Sequence, residues 1–304
     1  MAGTLRFHTL DVFTDTPYAG NPLAVVLDAD GLDNAQMQII AREFNLSETI
    51  FVMAPRDARN IARVRIFFPT AEIPFAGHPT IGCALLLAQM GRGAEDFETE
   101  LVLEEEAGPV PVRISRIAGR PRAEFTAPVL PHLHHGPAPA DLVAAAIGLP
   151  AEAVGFAAHR PGSYRGGPAF LFVPLRDRGA LAAARPAEPH WSDLMRQAGV
   201  DAAYLYTPGE DCDYRARMFS PTAGIPEDPA TGSASAILAA QLLDSGALAN
   251  GETRLLLHQG LEMGRPSRID ARITVQNGAL TGVHIAGSAV AISAGELAPP
   301  PPAA

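Results

Sequence analysis

Two loops of this 304-residue chain set an ionisable side chain directly before a proline and an apolar run. They read Phe75-Ala76-Gly77-His78-Pro79-Thr80-Ile81-Gly82 and Glu227-Asp228-Pro229-Ala230-Thr231-Gly232-Ser233. Histidine titrates near neutral pH and can pass a proton, and an aspartate can orient it or hold an amino group. Each loop leads into a predicted helix start, where free N–H groups and the positive end of the helix dipole favour an anion. Two such starts could grip a small carboxylate, or a charge that develops during reaction. Gly77, Gly82 and Gly232 would let the backbone approach a ligand closely. The same residues also suit plain helix capping: Asp228 is a good N-cap, Pro and Thr are common in a first turn, and a histidine there can simply satisfy the backbone. Glu48, in Phe44-Asn45-Leu46-Ser47-Glu48-Thr49-Ile50, could serve as a general base if burial raised its pKa. It reads equally as an exposed strand-start carboxylate, and spacing alone does not select it.

The two loops belong to an internal repeat. Residues 65–74 (Arg-Ile-Phe-Phe-Pro-Thr-Ala-Glu-Ile-Pro) and 217–226 (Arg-Met-Phe-Ser-Pro-Thr-Ala-Gly-Ile-Pro) agree at seven of ten positions, at an offset of 152. The match resumes at an offset of 150, where Pro79, Gly82 and Ala84 fall on Pro229, Gly232 and Ala234, and His78 faces Asp228. A single repeat of about half the chain points to two similar domains rather than a solenoid. Unlike polar groups at equivalent points suggest an enzyme with its site in a cleft between halves.

The elements that must position these residues follow from periodicity and punctuation. Thr4–Val12 and Leu23–Leu27 read as strands around a turn-rich stretch. Asp33 reads as the N-cap of a helix to Phe44 that Asn45 ends. Thr49–Met53 and Arg63–Phe67 read as strands, and Pro79–Met90 as a helix with Gly91 just past its end. Further strands are predicted at Leu101–Glu105, Val110–Ser115 and Arg122–Phe125. Residues 127–140, dense in Pro and His, read as an interdomain linker. The second half repeats the theme: strands at Ala169–Val173, Tyr204–Tyr206 and Tyr214–Phe219, a helix over Thr231–Leu243, then strands at Arg254–His258, Ile269–Val275 and Val283–Ile285. The expected domains are 1–127 and 128–298, with a C-terminal strand free to return to the first, and a proline-rich tail at 299–304 expected to be disordered. The fold class is α+β: two half-barrels of strands, each wrapped around one principal helix, because strand–helix alternation is too sparse for a doubly wound sheet.

Composition narrows the chemistry. With 47% hydrophobic and 18% charged residues the chain is globular, and no apolar stretch reaches the ~20 residues of a membrane span. The N-terminal residues lack the basic and apolar regions of a secretory signal. A net charge of −10 argues against nucleic acid. All 23 basic residues are arginine, which excludes a Schiff-base lysine and a lysine-dependent phosphate loop. The two cysteines, Cys83 and Cys212, build neither a disulfide framework nor a metal site and fit a reducing cytoplasm. His132, His134 and His135 lie close together, but a Pro-rich setting without a cysteine partner reads as exposed chain rather than a metal site. Arg160–Gly167 reads as a solvated loop whose arginines could contact substrate.

Asn45-Leu-Ser-Glu-Thr49, Pro74-Phe-Ala-Gly-His-Pro-Thr80 and Glu227-Asp-Pro-Ala-Thr-Gly-Ser233 resemble three signature stretches of the phenazine biosynthesis-like (PhzF) family. Asp11-Val-Phe-Thr-Asp-Thr-Pro-Tyr-Ala-Gly-Asn-Pro22 and Gln259-Gly-Leu-Glu-Met-Gly-Arg-Pro-Ser267 are similar to others, in the expected order. The resemblance implies the diaminopimelate-epimerase fold, with the site between two similar domains, and a homodimer. It implies isomerisation by proton transfer without cofactor or metal, with Glu48 as acid/base and His78 and Asp228 assisting. Asn21, Gly77, Thr231, Gly232 and Ser233 would bind the substrate, the backbone at Gly77 and Gly232 through its carboxylate. Racemases of this fold use one cysteine from each half; His78 and Asp228 stand at those positions here.

The expected reaction is a prototropic shift in a small carboxylated substrate, of the trans-2,3-dihydro-3-hydroxyanthranilate isomerase type. The alternatives are an amino-acid racemase or epimerase on the same fold, or a non-catalytic small-molecule-binding protein.

Overall fold

The computed structural model describes residues 4–90, 92 and 95–301. Gly91, expected to end a helix, lies outside the described residues, as do residues 1–3 of the N-terminal stretch and 302–304 of the expected tail. The chain forms two compact units, Met1–Thr126 with Ala286–Ala304, and Ala127–Ile285.

The first unit runs β1 (Leu5–Val12), β2 (Asn21–Val26), α1 (Asn34–Phe44), β3 (Glu48–Met53), β4 (Ala62–Phe67), β5 (Glu72–Ile73), α2 (Gly77–Gln89), β6 (Phe97–Glu105), β7 (Gly108–Ile117) and β8 (Arg120–Thr126). β1 is antiparallel to β2, β2 parallel to β3, and β3 antiparallel to β4. β4 then takes β5 antiparallel and β6 parallel, and β6–β7–β8 form an antiparallel meander. The strands wrap α2, whose thirteen residues are almost all buried. A helix apolar on every side needs such a sheath. α1 covers the outer face of β3 and β4 through Met37, Ile40 and Ala41, packed on Phe51, Met53 and Phe67. With both faces covered, β3 is buried at every position. The ends of α1 follow its sequence: Asp33 and Gln36 form a capping box, and Asn45 takes the left-handed turn at φ 50°.

The second unit runs β9 (His132–Pro137), α3 (Ala140–Ala146), β10 (Gly162–Arg165), β11 (Ala169–Pro174), α4 (Arg178–Ala183), α5 (His190–Ala198), β12 (Ala203–Pro208), β13 (Tyr214–Ser220), β14 (Ile225–Asp228), α6 (Gly232–Asp244), β15 (Gly251–Gln259), β16 (Ser267–Gln276) and β17 (Ala279–Gly287). Its pairing reproduces the first unit: β10 antiparallel to β11, β11 parallel to β12, β12 antiparallel to β13, and β13 flanked by β14 antiparallel and β15 parallel. β15–β16 completes the correspondence with β6–β7. The buried thirteen-residue α6 occupies the place of α2. Outside this barrel, α3, α4 and α5 build a separate apolar layer with Val143, Leu181, Trp191 and Leu194 on Leu171, Leu205 and Phe219. The last strand, β18 (Ala289–Leu297), lies antiparallel to β1 in the first unit. Two α+β units, each a strand barrel around one central helix, are the fold.

Several expectations change. Residues 132–137 of the expected linker are a strand: β9 pairs with β10 through two register shifts, an edge position where prolines are tolerated. The expected loop 160–167 contains β10, and its Tyr164 is buried with the hydroxyl donating to Asp244 at 3.0 Å. At the C-terminus, the Pro300 carbonyl accepts from Gln36 Nε2 at 2.5 Å. Among the described residues no helix is long and apolar enough to cross a membrane.

Candidate functional site

In the first unit three elements bring polar side chains to one buried point. Glu48 is the first residue of β3 and stands opposite Leu23 of β2. His78 lies in the first turn of α2, and Asn21 opens β2. All three are buried, with relative exposures of 6% for Glu48, 2% for His78 and 0% for Asn21. Asn21 Nδ2 lies 3.2 Å from His78 Nδ1. With the Asn21 amide donating, Nδ1 is the acceptor and the proton sits on Nε2. That Nε2 lies 3.2 Å from Glu48 Oε2 but is not aligned for a hydrogen bond. Burial lowers the His78 pKa to about 3, so the ring is neutral. The contact is therefore a neutral N–H beside a carboxyl group, a donor that a small rotation or a ligand can engage.

Ala76, the N-cap of α2, gives no side-chain hydrogen bond to the first turn, and the helix begins at Gly77, two residues earlier than the sequence suggests. Gly77 and His78 therefore contribute first-turn backbone N–H groups, the anion-favouring end of the dipole. Gly82 has a different task from the one expected. A Cβ there would meet Leu23 Cδ2 at 2.6 Å and Val12 Cγ2 at 2.8 Å, so its missing side chain lets α2 lie against β1 and β2.

The second unit builds the corresponding corner with other atoms. Asp228 ends β14, and the Thr231 hydroxyl donates to its Oδ2 at 2.6 Å. Gln259, wholly buried at the end of β15, accepts from Thr231 N at 3.1 Å. Its Nε2 donates to the Asp228 carbonyl at 2.8 Å and lies 3.0 Å from the Thr231 hydroxyl. The next residue, Gly260, holds φ +77°, and a Cβ there would meet Pro229 O at 2.6 Å. The loop Asp228–Thr231 is thus pinned by Gln259 and left room by Gly260. Thr231, the N-cap of α6, gives no side-chain bond to the first turn, which holds Gly232 and Ser233.

The repeat recurs in side-chain detail. Arg65 makes a bidentate pair with Glu72 and stacks over Phe67, while Arg217 makes a bidentate pair with Glu227 and stacks over Phe219. In both units this clamp fastens the short strand ahead of the central helix to the long strand before it, and so fixes where the helix starts.

Among the buried polar groups that sequence reasoning passed over are Gln259 and Glu105. Gln259 lies in a quoted stretch, but nothing local marks it as buried. Glu105 shares strand parity with Leu101 and Leu103, an alternation that placed it on the inward face. Cys83 is fully buried in α2, its thiol pushed well up by burial and by Glu105, and Cys212 is half-buried, its thiol also raised by burial. Neither has the lowered pKa of a proton-transferring thiol. Asp211, Cys212 and His258 bring three ligand atoms within 4.8 Å of one another, but Arg215 already donates to Asp211 at 3.0 Å and Cys212 Sγ donates to the Tyr214 carbonyl at 3.3 Å. His134 turns to the Gly199 carbonyl and stands edge-on to His135, with ring centroids 5.0 Å apart.

The family model for phenazine biosynthesis-like protein matches residues 10–295. An uncharacterized isomerase of Mesorhizobium japonicum is 41% identical over 300 residues, covering 97% of this chain and 99% of that one. The trans-2,3-dihydro-3-hydroxyanthranilate isomerase of Pseudomonas aeruginosa is 38% identical over 290 residues, covering 95% and 98%. The crystal structure of a PhzF-family phenazine biosynthesis protein from Bacillus anthracis superposes with a TM-score of 0.86 at 27% identity, covering 97% and 99%.

Proposed function

The chain belongs to the phenazine biosynthesis-like family and is an isomerase, and from that premise we propose that it moves a proton within a small carboxylated substrate, with Glu48 as the acid/base. The substrate class is that of the Pseudomonas aeruginosa relative, trans-2,3-dihydro-3-hydroxyanthranilate or a close analogue. The reading brings with it the family's expected homodimer.

The observation that carries the proposal is the buried contact between Glu48 and a neutral His78 at a helix start whose N-cap residue gives no side-chain bond. Glu48 takes a proton from carbon, and the electron pair left behind spreads into the conjugated system of the substrate. First-turn N–H groups stabilise that charge, and preorganised donors of this kind can be the largest single catalytic contribution. Glu48, now protonated, returns the proton to a second carbon. The product is an isomer, with nothing oxidised or reduced. His78 stays neutral and serves as a hydrogen-bond donor, held in one tautomer by Asn21. Asp228, Thr231, Gly232 and Ser233 are assigned to binding polar groups of a substrate, and the backbone N–H groups of Gly77 and Gly232 to binding a carboxylate.

The test is turnover of trans-2,3-dihydro-3-hydroxyanthranilate followed by proton NMR, with Glu48→Gln alongside. Losing a general base costs about 10²–10⁴-fold. A Glu48→Gln rate equal to wild type would remove Glu48 from the chemistry.

A further inference from the structure

A second carboxyl group is buried in the first unit, at the inner end of β6. Glu105 is 7% exposed. Its Oε1 lies 2.7 Å from Thr80 Oγ1, and Thr80 Oγ1 lies 2.7 Å from the Ala76 carbonyl oxygen. Each contact needs a proton, and a threonine hydroxyl carries one. The Ala76 carbonyl can only accept, so the Thr80 proton points there. The other contact then takes its proton from Glu105. An ionised Glu105 would leave two oxygens facing each other at 2.7 Å with no hydrogen between them.

The remaining oxygen agrees. Glu105 Oε2 is buried and has no hydrogen-bond partner among the described residues. A bare acid carbonyl in that place is tolerable, whereas a bare carboxylate oxygen is far more costly. Across the strand pair stands Gly108. On α2 the titratable neighbour is the buried thiol of Cys83. Among the described residues no cation is paired with Glu105. Burial raises its carboxyl to about 8, opposed only by the Thr80 hydrogen bond.

We propose that Glu105 is a neutral carboxylic acid at neutral pH that donates to Thr80, which donates to Ala76, and that this relay holds the first turn of α2, with Gly77 and His78, in its working position. Glu105 touches no reacting atom and is a positioning residue. Ala76 is the helix N-cap, and its carbonyl also accepts the Thr80 N–H at 3.3 Å. Losing the Glu105 proton would turn the Thr80 hydroxyl toward the new carboxylate and release the Ala76 carbonyl.

The activity arm of the test rests on the proposed isomerisation; the spectroscopic arms do not. In the full chain, Glu105→Gln keeps a donor toward Thr80 and Glu105→Ala removes it. The infrared difference between wild type and Glu105→Gln at neutral pH is expected to contain a protonated-carboxyl band; a carboxylate band in its place overturns the proposal. The ¹⁵N resonances of the His78 ring are expected to move in Glu105→Ala and to stay in Glu105→Gln. Unmoved resonances in Glu105→Ala would end the positioning role. With the dihydro-hydroxyanthranilate as substrate, wild-type kcat/KM falls as pH rises through about 8, Glu105→Gln keeps its rate there, and Glu105→Ala is about 10²-fold slower throughout. A Glu105→Gln enzyme as slow as Glu105→Ala would overturn the relay. If wild type does not turn this substrate over, the proposed reaction falls while the two spectra still decide the state and role of Glu105.

Discussion

Nε2 of His78 lies 3.2 Å from Oε2 of Glu48, and both side chains are almost shut off from water. The histidine is neutral there, because burial takes its pKa down to about 3 and Asn21 supplies a dipole rather than a charge. One member of the pair can carry the proton and the other can only donate a hydrogen bond. This division of labour underlies the first and the last of the predictions.

The first concerns pH. The folded-state pKa of His78 lies below its unfolded value of 6.5, so between 6.5 and about 3 the unfolded chain binds the extra proton. The His78 contribution to stability is therefore present above 6.5 and is lost as pH falls toward about 3. Urea unfolding of wild type and His78→Gln across that window should show the stability difference between them shrinking, or reversing in favour of the variant, as pH falls. A pH-independent difference would contradict a neutral buried His78.

Gly82 gives a packing prediction. Gly82→Ala gains up to about 1 kcal/mol of helix propensity, but its Cβ enters the space of Leu23 and Val12, and overpacking costs about 1–3 kcal/mol. The net effect should be a lower urea midpoint. A stabilised variant would show that β1 and β2 yield.

How much of this was legible in the sequence varies by element. The ends of α1 were spelled out by Asp33 and Asn45, whose side chains and turn preference act locally. The repeat announced two like units, and the longer strands of the shared barrel topology had at least a partial apolar signature, whereas the short β5, β10 and β14 had none. The starts of α2 and α6 were displaced by one or two residues, because Gly and His are poor helix signals and their place is set by the Arg65–Glu72 and Arg217–Glu227 clamps. β9 was hidden by its prolines and histidines. The helices α3, α4 and α5 lay in an Ala- and Pro-rich stretch, although Asp177 caps α4 and Gly199 closes α5. Glu48 was selected by family resemblance, and its burial next to His78 comes from the β2–β3 pairing and the packing of α2, contacts no local pattern encodes.

The clamps supply a comparison within one molecule. Arg217 is 1% exposed and Arg65 19%. Breaking a buried pair leaves an uncompensated charge, at a cost of about 3–5 kcal/mol. Arg217→Met should therefore destabilise by that order and Arg65→Met by distinctly less, read as thermal midpoints. Equal losses would mean that burial does not set the strength of the clamp.

Gln259 tests the second corner. Gln259→Leu strips the Thr231 N–H and the Asp228 carbonyl of their partner, and buried unsatisfied groups cost about 1–3 kcal/mol. Stability should fall by that order, and KM should rise as the Asp228–Ser233 loop loosens. An unchanged KM in a folded variant would separate this loop from substrate binding.

The central claim is that Glu48 carries the proton. The measurement is deuterium incorporation from D₂O into trans-2,3-dihydro-3-hydroxyanthranilate and its product, by mass spectrometry, with wild type and Glu48→Gln in parallel. The account predicts isomerisation with wild type, with deuterium entering to the extent that protonated Glu48 exchanges with solvent before it returns the proton, and incorporation reduced by about 10²–10⁴-fold in the variant. Incorporation at the wild-type rate in Glu48→Gln would contradict it.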